Sequence, residues 1–268
     1  MTSAGAAPST RPPDASAATG PVLVTRNLNK RFGGIAATQD VSLALERGAR
    51  HALIGPNGAG KTTLVNLLTG MLDPTSGSIL LEGHDITHLA AHQRAKRGLV
   101  RTFQISQLFE TITPLHTLVM VIAQREGSGL AMFSPLAHQS RFAEEAVALL
   151  EQLHLRDAME RRTNVLPYGK RRLLEIAIAL ASRPRVLLLD EPMAGVPSTD
   201  SREILDTLAA LPPDVTVMLI EHDMDLVFRF ARRISVLVNG VLLAEGAPDE
   251  IARDPQVKAV YLGESAHG

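Results

Sequence analysis

The run Gly55-Pro56-Asn57-Gly58-Ala59-Gly60-Lys61-Thr62-Thr63 constrains this chain more than any other stretch, because of what flanks it. Ala52 to Ile54 before it reads as a short apolar strand, and Leu64, Leu67 and Leu68 after it recur at helical spacing. A strand that turns through glycines into a helix opened by Lys and Thr is the GxxxxGK[ST] phosphate loop in the context the motif requires. The glycines let the backbone turn tightly so that several N–H groups point inward, and the helix behind adds its positive end. In such a loop Lys61 reaches the β- and γ-phosphates and the Thr62 hydroxyl takes a Mg²⁺ position.

A second signal is Val186-Leu187-Leu188-Leu189-Asp190-Glu191-Pro192, a buried strand ending in two carboxylates. Ligands of open α/β sheets lie beyond the carboxyl ends of the strands, so Asp190 and Glu191 are aimed where a nucleotide bound by the phosphate loop must lie. Asp190 suits Mg²⁺ coordination through water, and Glu191 suits a base that polarises an attacking water. Short β-rich runs alternate with helical periodicity from Pro21 onward, the pattern of a mostly parallel sheet covered by helices. Strands are expected at Val22–Thr25, Val41–Leu45, Ala52–Ile54, Ile79–Glu82, Leu99–Phe103, Val186–Leu189, Val215–Ile220, Ile234–Val238 and Val241–Ala244. Between Phe103 and Val186 no strand is convincing, while Phe142, Ala146, Leu149, Leu150 and Leu153 mark an amphipathic helix. A helical subdomain, about residues 105–182, is therefore expected within the α/β core.

Composition narrows the rest. The 268 residues carry Lys+Arg 27 against Asp+Glu 28, a net charge of -1, so no overall field favours nucleic acid. With no cysteine there are no disulfides, thiol nucleophiles or Cys-based metal sites. Residues 1–20 are mostly Ala, Ser, Thr, Pro and Gly and are expected to be a disordered leader; residues 265–268 read as a tail. No apolar run approaches the ~18 residues a membrane helix needs. His88 and His92 stand four apart where a helix is expected, but Leu89 occupies the place of a metalloprotease Glu, and a solvated face is the better reading. Arg161, Arg162, Lys170, Arg171 and Arg172 are read as a solvated face and a helix start rather than a nucleic-acid patch.

Taken with what lies between them, the two motifs resemble the ATP-binding cassette family. The resemblance implies a P-loop NTPase α/β core with an antiparallel β subdomain and an inserted α-helical subdomain, spanning residues 21–264. It implies ATP and Mg²⁺ as cofactors. It carries over Phe32, in Lys30-Arg31-Phe32-Gly33-Gly34, as the aromatic that stacks on adenine, and Gln104, in Arg101-Thr102-Phe103-Gln104, as the glutamine that contacts Mg²⁺ and the water. His222, in Ile220-Glu221-His222-Asp223, matches the switch histidine at the γ-phosphate. The signature segment, usually LSGGQ, stands here as Leu166-Pro167-Tyr168-Gly169-Lys170, so Tyr168 and Gly169 are its nucleotide contacts, offered to a second cassette; Pro197 stands where many cassettes carry Asp.

The Tyr-Gly signature, Met193-Ala194-Gly195 and the closing Tyr261-Leu262-Gly263-Glu264 resemble the longer ATPase subunit of branched-chain amino acid importers and their amide and urea relatives. That resemblance implies a peripheral subunit at the cytoplasmic face of the plasma membrane. Its partners are integral permease subunits, an identical or related second ATPase subunit and, indirectly, an external solute-binding protein. The apolar Ile105, Leu108, Phe109 and Leu115 beside Gln104 are the expected seat of a short permease helix. A soluble cassette acting on nucleic acid or ribosomes is the alternative; such chains carry paired cassettes, long coiled coils or basic arms, which this sequence does not show.

Overall fold

The computed structural model describes residues 20–102, 111–127 and 136–264. Its centre is a six-stranded sheet in the order β11-β10-β4-β9-β8-β7, formed by β4 (Arg50–Ile54), β7 (Leu99–Arg101), β8 (Val186–Asp190), β9 (Thr216–Ile220), β10 (Arg233–Val238) and β11 (Val241–Gly246). All pairs are parallel except the β10–β11 hairpin at one edge. Ala52–Ile54 of β4, Val186–Leu189 of β8 and Val217–Ile220 of β9 are apolar on both faces because helices or a second sheet cover each side. Ala52, Ile54, Leu187, Leu189, Val217 and Leu219 join one core, and Leu53, Val186, Leu188, Met218 and Ile220 join the other.

The second core lies against α1 (Lys61–Thr69) and an antiparallel sheet of β1 (Pro21–Phe32), β2 (Ile35–Val41), β3 (Ala44–Glu46), β5 (Ser76–Leu81) and β6 (His84–Asp85). The first core takes in α3 (Pro114–Arg125), α4 (Leu136–Gln152) and α5 (Tyr168–Ala181), which pack on one another between β7 and β8. The amphipathic series read from the sequence lies in and just beyond α4: Phe142, Ala146, Leu150 and Leu153 are buried. After short α2 (Ala91–Lys96), the remaining helices are α6 (Ser198–Ala209), α7 (Met224–Phe230), α8 (Pro248–Arg253) and α9 (Pro255–Glu264).

Several local expectations change. The strand expected at Val41–Leu45 is two strands, with β2 ending at Val41 and β3 starting at Ala44. Thr25 bridges the break: its hydroxyl donates to the Val41 carbonyl and accepts from the Leu43 N–H, both at 2.9 Å. β2 itself was not expected, since Ala36 and Ala37 are poor strand formers; the Gly33-Gly34 turn folds it onto β1 as a hairpin. β1 also runs to Phe32, well past Thr25. His88 sits in a turn before α2 while His92 lies within it, so the two do not share a helix face. Among the described residues no group of three or more His, Cys, Asp or Glu is arranged to hold a metal ion. Of the basic series, Arg161, Arg162 and Arg171 are exposed, while Lys170 bonds the His154 carbonyl at 2.5 Å and Arg172 is buried against Glu175 at 2.8 Å. Residues 1–19 and 265–268 lie outside the described residues.

Candidate functional site

The carboxyl ends of β4, β7, β8 and β9 sit side by side, and each delivers a charged or polar group to the same edge. From β4 the chain turns through residues 55–60 into α1, with Gly60 at the helix N-cap at φ 100°. Only glycine fits there: a Cβ would stand 2.5 Å from the Ala37 carbonyl oxygen of β2. The other side of the loop is held by the β10–β11 turn, whose Gly240 N–H donates to the Ala59 carbonyl at 2.8 Å. Lys61 curls back on the loop and donates to the Gly55 and Pro56 carbonyls at 2.5 and 3.0 Å. Asn57, Gly58 and Thr62 are exposed, and Pro56, Gly60, Lys61 and Thr63 are half-buried.

A cleft of about 470 Å³ brings Thr62 together with Asp190 and Glu191, closed on its far side by Arg172, Glu175 and Ile176 of α5. Asp190 ends β8, and Glu191 follows in the left-handed region at φ 46°. That unfavourable conformation is held from both sides: the Glu191 N–H donates to the Ile220 carbonyl at 2.9 Å, and its carbonyl accepts from the Ala194 N–H at 3.1 Å. The result turns the exposed Glu191 side chain away from the strand direction. His222, after β9, is exposed, with Nδ1 3.8 Å from Glu221.

Phe32 ends β1 at the tip of the hairpin whose second strand backs the phosphate loop; it is 47% exposed with the Lys30 ammonium 5.1 Å from its ring centre. An aromatic this exposed is free to receive a flat ring. Tyr168 and Gly169 do not join the cleft through hydrogen bonds to the loop. Tyr168 Oη donates to the Ala194 carbonyl at 3.0 Å and accepts from Arg172 at 2.7 Å, tying the start of α5 to the turn after Glu191. The side chain facing Gly169 is Asp200 of α6, whose Oδ2 would lie 2.7 Å from an added Cβ. Gln104, together with Ile105, Leu108 and Phe109, lies outside the described residues, whereas Leu115 packs on the first core.

Residues 38–194 match the family described as "ABC transporter", and residues 241–267 match the family described as "Branched-chain amino acid ATP-binding cassette transporter". The chain is 40% identical to the high-affinity branched-chain amino acid transport ATP-binding protein BraF of Pseudomonas aeruginosa, over 91% of this chain and 99% of that protein. The chain belongs to the ABC transporter family. The cassette is also 39% identical, with the same coverage, to the high-affinity branched-chain amino acid transport ATP-binding protein LivG of Escherichia coli K12. Its fold matches a crystal structure of the ADP conformation of an ATP-binding cassette at TM-score 0.80 and 32% identity, covering 91% of this chain and 100% of that one. A nucleotide-free cassette matches at TM-score 0.78 and 31% identity, covering 90% and 98%. This cassette is therefore an ATPase that binds nucleotide.

Two residues at the cassette's strand ends were not singled out from the sequence. Glu221, 1% exposed at the end of β9, accepts from the Met193 N–H at 3.1 Å and the His222 N–H at 3.3 Å, holding the turn after Glu191 against β9. Burial pushes its carboxyl above the usual range against the pull of those donors, and the nearby Glu191 charge adds to the rise. Arg101, at the end of β7, pairs with Asp190 at 2.5 Å and with Asn66 at 2.8 Å. Both stood inside quoted motifs, Arg101 beside Gln104 and Glu221 beside His222, but nothing in residue type says that a carboxylate is buried or that an arginine turns inward.

Proposed function

We propose that this cassette is the ATP-hydrolysing subunit of an importer for branched-chain amino acids or related amides and urea, acting at the cytoplasmic membrane face on separate permease subunits. The observation that carries the chemistry is the single cleft shared by Thr62, Asp190 and Glu191 beside the phosphate loop. Lys61, now bonded to the loop's own carbonyls, exchanges them for phosphate oxygens, and backbone N–H groups of the loop, where Pro56 alone has none, cradle the phosphates. Phe32 stacks on adenine. Oxygen donors of Thr62 and Asp190 suit Mg²⁺, which needs phosphate oxygens and water to complete its shell. When bound, that ion supplies charge neutralisation at the transferring phosphoryl group.

Glu191 would accept the proton of the attacking water, and the family resemblance assigns His222 to the γ-phosphate and Gln104 to the ion and the water. Tyr168 and Gly169 serve the nucleotide of a second ATPase subunit, identical or related. Association with permease subunits accounts for membrane attachment: among the described residues no helix is long and apolar enough to cross a membrane. Similarity to BraF and LivG supports the solute class.

The test is Glu191→Gln, assayed by phosphate release and by ATP titration. Turnover is expected to fall on the order of a hundredfold or more with ATP affinity kept, since a base acts in the transition state. Turnover at the wild-type rate would remove Glu191 from the role of base. Lys61→Ala is expected instead to lose ATP affinity.

A further inference from the structure

Arg101 ends β7 at the cleft, and its guanidinium is divided between two elements. One nitrogen donates to Asn66 Oδ1 at 2.8 Å, the other to Asp190 Oδ2 at 2.5 Å, with the paired side chains only 17% and 18% exposed. Asn66 lies four residues after Thr62 on α1, one turn along the same helix face. The fork therefore joins the helix that carries Thr62 to the strand end that carries Asp190.

We propose that Arg101 is a positioning residue: by spanning Asn66 and Asp190 it sets the separation of the Thr62 hydroxyl and the Asp190 carboxylate, two of the protein groups assigned to the metal of the bound nucleotide. This rests on the assignment of Thr62 and Asp190 to Mg²⁺. A guanidinium suits this role, since it is planar and offers donors on separate nitrogens at a fixed angle, whereas a lysine ammonium gathers its three donors on one atom and fixes no such angle. A mere counter-charge for Asp190 would need no second arm. The arm to Asn66 is what gives the contact a direction; Arg101 Nε is buried with no partner among the described residues, and the contacts observed are those of the two terminal nitrogens.

The readout is the strengthening of ATP binding by Mg²⁺, measured as the ratio of dissociation constants in EDTA and in excess Mg²⁺ on the full chain. Asn66→Ala and Arg101→Met are expected to lower that ratio about tenfold while leaving affinity in EDTA unchanged, as loss of groups that orient metal ligands does elsewhere. The double variant is expected to be no worse than Arg101→Met alone, and Arg101→Lys, which restores charge without the fork, not to rescue. Asn66→Ala changes no charge, so it decides the matter even where an Arg101 variant folds poorly and loses affinity in EDTA as well. A ratio preserved in Asn66→Ala, or raised in Arg101→Met as a masking counter-charge would produce, overturns the inference alone. A wild-type ratio near one, or a full ratio in Asp190→Asn, overturns the metal assignment and the inference with it.

Discussion

Gly60 and Gly58 show how differently two glycines of one loop are constrained. Both have positive φ, 100° and 77°, but an added Cβ at Gly60 meets the Ala37 carbonyl oxygen at 2.5 Å, while at Gly58 nothing lies within 4 Å. A left-handed conformation costs an L-residue about 1–2 kcal/mol, and only at Gly60 does a backbone collision add to it. Gly60→Ala is therefore expected to lower the urea unfolding free energy by more than Gly58→Ala, which should stay near ~1 kcal/mol. Equal losses in the two variants would show that β2 yields at Ala37. Glu191 carries the opposite device, a side chain kept in the left-handed region where glycine would rest more easily. Its retention there fits a position that needs a carboxylate more than it needs relaxed backbone.

At the level of elements, β4 and β10 are tied behind the phosphate loop by a buried polar contact. His51 Nε2 lies 2.8 Å from Ser235 Oγ, and that hydroxyl donates to Glu245 at 2.8 Å, with Arg233 on the far side of the same carboxylate. Since the hydroxyl proton is committed to Glu245, its oxygen accepts from His51 Nε2–H, and the bare Nδ1 is buried without a partner among the described residues. Burial pulls the His51 pKa from 6.5 to about 4, with Arg233 assisting and Glu245 opposing. The unfolded chain takes up a proton below pH 6.5 that the folded chain refuses, so this stability is complete above 6.5 and is lost progressively as pH falls from 6.5 to about 4. About 2 kcal/mol should be gone by pH 5. Urea unfolding of wild type and His51→Gln at pH 7 and pH 5 checks this: the wild type should lose the larger share, and parallel losses would refute the burial account. Arg94 is a second tie of this kind, fully buried and donating to the carbonyls of Leu67 and Leu68 at the end of α1 and of Thr87 and Leu89 before α2. Its place in a basic, polar stretch of sequence gives no sign of this burial.

For the molecule as a whole, Tyr168 links the start of α5 to the turn that follows Glu191, so a second cassette bound at Gly169 would be felt at the base of this one's own site. The Glu191→Gln chain, mixed with ATP and either a second copy or a related ATPase subunit, is expected to double its mass by light scattering. Adding Lys61→Ala should abolish the increase, and a mass that ignores ATP in every mixture would count against a paired cassette. The parallel core, the phosphate loop and the Asp190-Glu191 strand end were legible in the chain itself, because apolar periodicity and glycine spacing are local properties that survive in one dimension. So was the amphipathic series of α4. Other features came from contacts between residues farther apart in the chain: the Thr25 bridge across Val41 and Leu43, the inward Arg94 and the buried Glu221. The Arg101 fork joins residues 35 and 89 positions away. Sequence alone determined which groups this cassette owns; only the tertiary structure decided which of them meet, since desolvation and hydrogen-bond partners are set by neighbours that chain order does not name.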